Sequence, residues 1–241
     1  MPETQAKSSW TAPAGTLGDL VAGAASRAEA LRGASTAWRD RAEAAGPRPS
    51  LRAAMLRDTV AVIAEIKRMS PSRGDIKPGL DAADQARRYV TGGAAAISVL
   101  TEPERFGGSS ADLADVAAAV AIPVLRKDFH VASVQLYEAR ALGASAALLI
   151  ARAVEPGQLR DLIATANDIG LESLVEVRDD HELARALDAG ATLIGVNNRN
   201  LETLVMDPGT AARIIPLIPG SVAAIAESGI SSRAEVERAA A

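Results

Sequence analysis

The chain has 241 residues, is 48% hydrophobic but only 2% aromatic, and carries a formal net charge of −4. That length suits one α/β barrel, and the small aliphatic side chains suit parallel strands packed beneath helices. The acidic balance excludes a generally basic nucleic-acid or membrane-surface binder, and the lack of cysteine excludes disulfides and thiol chemistry.

Residues 1–15 are polar and read as a loose tail without the charged-then-apolar pattern of a signal peptide, so a cytoplasmic location is expected. No apolar run nears the roughly 20 residues that span a bilayer. From Leu17 to about Ala45 the Ala-rich texture predicts one or two helices, broken near Gly33, and Gly46-Pro47-Arg48-Pro49 ends them. The division expected is a tail with lid helices over 1–49 and a barrel over 50–241.

Short apolar runs then recur at Val60–Ile66, Ala94–Leu100, Pro123–Leu125, Ala146–Ile150, Leu174–Val177, Thr192–Val196 and Val222–Ala226. They are nearly continuous, as strands buried on both faces should be. A helical segment lies between each pair, with Pro156 and Pro208 at first turns, Asp207 at an N-cap and Ser232 with Glu235 as a capping box. One face of the helix after Pro156 is Leu159, Leu162, Ile163 and Ala166. Seven strand–helix units predict a parallel sheet. No nucleotide-binding glycine loop follows any strand, and polar residues end nearly every strand, which favours a (β/α)8 TIM barrel over an open sheet. An eighth strand and helix are not found after the seventh unit, an oddity for that fold.

Those strand ends carry the candidate chemistry. Glu65 and Lys67 are two apart and point the same way from a strand. The plain alternative is an ion pair that fills the barrel end. Ser70-Pro71-Ser72-Arg73-Gly74 is a polar loop able to fold over a ligand, or an ordinary turn. Lys127 follows an apolar stretch directly, as an acid, an anion contact or a surface lysine. Glu176 lies inside an apolar run, where burial raises a carboxyl pKa towards acid–base use. Asn197 and Arg199 offer amide and guanidinium donors after the sixth strand. Glu227, Ser228 and Gly229 end the seventh, before a helix N-terminus whose N–H groups suit an anion. Together they predict acid–base chemistry on a small phosphorylated carbonyl or hydroxyl compound. His130 and His181 read as solvated, Trp10 and Trp38 as covers outside the barrel, and no metal spacing is present.

At these residues the sequence resembles the indole-3-glycerol-phosphate synthase family. The resemblance rests on VAVIAEIKRMSPSRGDI, AISVLTEPERFGGS, IPVLRKDFHV, SLVEVRDDHELARALDAGATLIGVNNRNLETL and VAAIAESGISSRAEVE, in order from about Ser50. It implies a lyase of tryptophan biosynthesis that needs no cofactor. Ring closure, decarboxylation and dehydration would turn 1-(2-carboxyphenylamino)-1-deoxyribulose 5-phosphate into indole-3-glycerol phosphate. It implies Lys127 as the acid of ring closure, Glu176 as a charge stabiliser or proton shuttle, and Glu65 and Lys67 as base and acid of dehydration. Asn197 and Ser228 would position the substrate, with Arg68, Ser70, Pro71, Ser98, Phe106, Arg199, Glu227 and Gly229 around it. A monomer, a small phosphorylated substrate, and neither nucleic-acid nor membrane partner are expected. The segment TLGDLVAGAASRAEALRG keeps the apolar spacing of the family's lid helices but lacks their usual lysines. A phosphoribosyl isomerase is the nearest rival enzyme, but should carry Cys/Asp or Asp/Asp at the strand ends. A non-catalytic phosphate- or partner-binding remnant is the alternative from another class.

Overall fold

The computed structural model describes residues 10–57, 59–230 and 232–240. The N-terminal segment forms α1 (Gly15–Leu31), a 3-10 turn at Arg32–Ala34, α2 (Ser35–Glu43) and the short α3 (Leu51–Met55). Ser50 starts α3 by accepting the Ala53 N–H at 2.9 Å. The chain then enters β1 (Ile63–Ile66), a hairpin of β2 (Met69–Ser70) and β3 (Gly74–Asp75), and α4 (Ala82–Thr91). Next come β4 (Ala96–Leu100), α5 (Pro103–Phe106), α6 (Ser110–Ala119), β5 (Val124–Lys127), α7 (Ser133–Ala141), β6 (Ala146–Ile150) and α8 (Pro156–Asp168). The last elements are β7 (Glu172–Val177), α9 (Asp180–Asp188), β8 (Leu193–Asn197), α10 (Thr210–Ile214), β9 (Ala223–Glu227) and α11 (Arg233–Ala240).

Seven strands form one curled sheet in the order β1-β4-β5-β6-β7-β8-β9, every neighbouring pair parallel. They are the seven predicted runs. β4, β6 and β8 are buried along their whole length, with helices on the outside, so alternation is absent where both faces are covered. Leu159, Leu162, Ile163 and Ala166 of α8 are all buried, and Pro156 opens that helix. Each helix returns to its strand through a tight turn. At Gly143 the backbone is left-handed (φ 93°), and an added Cβ would lie 2.9 Å from the Ala117 Cβ.

Four strands differ from the expected bounds by one or two residues at an end, and three further boundaries differ for a physical reason. β1 begins at Ile63 rather than Val60: Val60 and Val62 are 52% and 51% exposed because, among the described residues, no strand pairs with that edge. β5 runs past Leu125 to include Arg126 and Lys127, since the Arg126 guanidinium is buried against Glu138 at 2.6 Å and Lys127 turns into the barrel mouth. α10 starts at Thr210, so Asp207 caps a preceding turn instead, its Oδ1 accepting the Gly209 N–H at 3.0 Å. The open side of the sheet, between β1 and β9, holds a cavity of about 710 Å³ lined by Ile63, Glu65, Ser98, Lys127, Ile225 and Glu227 among others. None of the helices in the described residues is long and apolar enough to cross a membrane.

Candidate active site

Parallel strands deliver their C-terminal ends to one rim, and register decides which side chains meet there. Glu65 of β1 is level with Ser98 of β4, Leu100 with Lys127 of β5, Ile150 with Glu176 of β7, and Asn197 of β8 with Glu227 of β9. Lys127 lies at the centre of the charged groups. Its Nζ donates to Glu227 Oε2 at 2.7 Å and lies 3.7 Å from Glu65 Oε2, while Glu65 also pairs with Lys67. On the far side Asn197 Nδ2 donates to Glu176 Oε1 at 2.8 Å, and the amide oxygen of Asn197 accepts the Arg199 N–H at 2.8 Å.

The protonation pattern follows from this geometry. Burial opposes the charge of Lys127, but Glu227, Glu65 and Glu176 outweigh it and hold the ammonium above the ordinary lysine range. Burial also opposes the charge of Glu65, yet Lys127 and Lys67 keep its carboxyl below the usual range. Glu176 goes the other way. Burial first, and the nearby Glu227 carboxylate second, push it up to about 8. The site therefore pairs a firmly protonated cation with a carboxyl that keeps its proton at neutral pH.

Glycine and strain fix the last members. A Cβ on Gly195 would collide with Glu227 Oε1, so the missing side chain of β8 makes room for the carboxylate of β9. Ser228 is a non-glycine residue in left-handed backbone (φ 65°), followed by Gly229 at φ 77°. Asn198 holds that turn by donating to the Ser228 carbonyl at 3.0 Å.

Six of the singled-out side chains thus meet at one mouth: Glu65, Lys67, Lys127, Glu176, Asn197 and Glu227. Ser98 is buried among them with its hydroxyl lacking a protein partner, and Ser228 and Gly229 line the same cavity. Ser70 and Pro71 sit in the hairpin after β1, and Phe106 packs near Phe129 with ring centroids 6.3 Å apart. Arg199 lines a second cavity of about 340 Å³ beside Glu176. Arg68 departs from expectation. Its guanidinium is committed to Asp112 at 2.6 and 2.7 Å and to the carbonyls of Leu80 and Gly107, so it fastens the loop after β1 rather than facing the mouth.

Other residues were misread or missed. His130 is buried, not solvated: its Nδ1 lies 2.7 Å from the Leu148 carbonyl, and burial, then Arg126, push its pKa down to about 4. Trp10 reaches the rim, donating to the Arg152 carbonyl at 3.3 Å and lining the smaller cavity with Leu17 and His181. Glu202 accepts the Ala14 N–H at 2.9 Å and Arg152 at 2.8 Å, which straps the N-terminal segment across the loops after β6 and β8. Arg27 of α1 pairs with Asp128, next to Lys127. The Trp10–Arg152, Ala14–Glu202 and Arg27–Asp128 contacts join residues more than 100 positions apart, and local sequence pattern holds no signal for them.

A curled parallel sheet with lysines and glutamates converging on the strand ends defines an α/β-barrel enzyme with acid–base groups at its mouth. More particularly, the chain belongs to the indole-3-glycerol phosphate synthase family, whose model matches residues 24–241. It is 54% identical over 192 residues to "Indole-3-glycerol phosphate synthase 1" of Streptomyces coelicolor, covering 80% of this chain and 71% of that protein. It is 47% identical over 227 residues to the indole-3-glycerol phosphate synthase of Leifsonia xyli subsp. xyli, covering 93% of this chain and 87% of that one. Among solved structures, the N-acetylmannosamine-6-phosphate 2-epimerase from Clostridium perfringens superposes with a TM-score of 0.55 at 13% identity, over 75% of this chain and 80% of that one. That likeness concerns the fold alone. Neither the family match nor the relatives favour a non-catalytic remnant.

Proposed function

We propose that the chain is a carboxy-lyase of tryptophan biosynthesis that converts 1-(2-carboxyphenylamino)-1-deoxyribulose 5-phosphate into indole-3-glycerol phosphate. The observation that carries this reading is Lys127, protonated between Glu227 and Glu65 at the mouth of the barrel. In ring closure the aryl carbon bearing the carboxylate attacks the carbonyl carbon, and Lys127 gives its proton to the carbonyl oxygen. The positive charge then rests on the imine-like nitrogen. The carboxylate leaves as carbon dioxide, and its bonding pair restores the aromatic ring. The hydroxyl formed in the first step departs as water, protonated by Lys67, while Glu65 takes the proton from the carbon next to nitrogen. Acid and base already in contact suit that last step.

Glu176 fits a proton shuttle better than a charge stabiliser, because a carboxyl raised to about 8 is neutral at pH 7. Asn197 fixes its orientation. The left-handed turn at Ser228 and Gly229 would present backbone N–H groups to the substrate phosphate. The test is the appearance of indole absorbance and fluorescence when the chain meets that substrate. Lys127→Ala should lower kcat by about 10³ or more, the range of a general acid. Turnover that survives the substitution would remove Lys127 from the chemistry, and no indole signal from the unaltered chain would refute the reaction.

A further inference from the structure

The helix laid over the barrel contributes one charged side chain to its interior. Arg27 of α1 places Nη2 2.8 Å from Asp128 Oδ1 and Nη1 3.5 Å from Glu102 Oε1. Both carboxyl side chains are 2% exposed, against 28% for Arg27. Asp128 immediately follows Lys127. It also accepts the Thr101 hydroxyl at 2.7 Å and the Phe129 N–H at 2.8 Å. Glu102 caps α5 by accepting the N–H groups of Glu104, Arg105 and Phe106. One guanidinium therefore joins the end of β5, which carries Lys127, to the cap of α5, which carries Phe106.

Charge balance makes that link necessary. The cluster holds Glu102, Asp128 and Glu138 against Arg126 and Arg27. Arg126 serves Glu138 at 2.6 Å and stands 3.7 Å from Asp128. His130, the remaining titratable neighbour, is kept neutral by burial and by Arg126. Without Arg27, three carboxylates would face a single guanidinium one residue away from Lys127. Buried carboxylates that lose their partner move towards solvent or take up a proton, and either response shifts the backbone they hang from.

We infer that Arg27 is a positioning residue for the ring-closing acid: by fixing Asp128 it aims the Lys127 ammonium at Glu227 and Glu65. The inference rests on the proposed reaction. Four variants of the full chain test it, Arg27→Met, Arg27→Lys, Asp128→Asn and Arg27→Met combined with Asp128→Asn, each checked for folding by circular dichroism. Arg27→Met should lower kcat by about tenfold while KM changes less than about threefold. Arg27→Lys should recover most of the loss, and the double variant should lose less than the two single changes combined. A rise in KM with kcat intact would make Arg27 a fastener of α1 only, and additive losses would separate it from Asp128. Either result overturns the inference. A second readout is independent of turnover. Acetylation by acetic anhydride, followed by mass spectrometry, compares Lys127 with exposed Lys77. A Lys127 released from Glu227 loses the contact that keeps it protonated, so its relative labelling should rise more than about threefold in Arg27→Met. An unchanged ratio refutes the positioning role even where turnover falls, and a changed ratio sustains it even where the reaction assignment fails.

Discussion

Gly195 is bare because Glu227 needs the space. The Glu227 carboxylate lies where a Cβ of residue 195 would be, and Leu174 Cδ1 stands 3.4 Å from the same point. Gly195→Ala must therefore push Glu227 away from Lys127 or push β8 away from β9. Both cost stability, about 1–3 kcal/mol for a methyl forced into packed space. The first also separates an ion pair of 2.7 Å. The expected outcome is a kcat lowered by about tenfold or more, with a drop in melting temperature of a few degrees. Full activity in this variant would mean that Glu227 is free to leave Lys127 without consequence. The residues visible in sequence share one trait. Glu65, Lys127, Glu176, Asn197 and Glu227 are each polar within or directly after a short apolar run, where burial without function is costly. Arg27 and Glu202 lack that trait. They stand among other charged and polar residues and acquire roles only through partners 50 or more positions away.

At the scale of elements, the strands were legible because β-branched runs bounded by glycine admit few other readings. The hairpin of β2 and β3 was not. Two residues a side carry no periodicity, and its turn at Ser70–Gly74 looks like any polar loop. Nor was the seating of α1. Its Ala-rich texture indicates a helix, but not the place where Leu17, Leu20, Ala24 and Ala28 are buried. That is set by the strap at its start. The Glu202 carbonyl accepts the Thr16 N–H at 3.1 Å, its carboxylate accepts the Ala14 N–H, and Arg152 holds both the Thr11 carbonyl and Glu202. Gly15 is left-handed there (φ 56°), and a Cβ on it would strike the Glu202 carbonyl. Glu202→Ala removes the carboxylate ties while leaving the backbone contact. Since the strap walls the cavity beside Glu176, KM should rise about three- to tenfold with little change in kcat. Acrylamide quenching in a Trp38→Phe background should show Trp10 more accessible. Unaltered quenching and KM together would mean that the backbone contact alone seats the segment.

The whole molecule responds to pH through the same buried groups. Glu176 and Glu182 have folded-state pKa values raised to about 8 and about 7, in each case by burial first. Above an unfolded value near 4.5 the unfolded chain releases these protons while the folded chain retains them, so stability falls as pH rises towards 7 and 8. His130 acts in the opposite sense. Lowered to about 4, it binds its proton more weakly folded than unfolded, so stability rises with pH between about 4 and 6.5. From about pH 4.5 to 6.5 one carboxyl offsets the histidine and a net single proton remains. From 6.5 to 7 both carboxyls act unopposed, and above 7 only Glu176 does. Asp112, Asp128 and Glu65, held below the usual range by their cationic neighbours, withdraw stability only as pH falls into the acid range. The melting temperature should therefore peak on the acid side of neutrality and fall most steeply near pH 6.5–7, at up to about 1.4 kcal/mol per pH unit for each unmatched proton. Glu182 is the handle that leaves the Lys127 contacts in place: it accepts the Arg178 N–H at 2.8 Å, and its charge adds only the last of the causes that raise Glu176. Glu182→Gln should flatten the decline between pH 5 and 7 and leave the slope above 7 to Glu176. A melting temperature that climbs steadily from pH 5 to 8 would show that neither carboxyl keeps its proton in the folded chain, and would remove the neutral Glu176 on which the shuttle role depends.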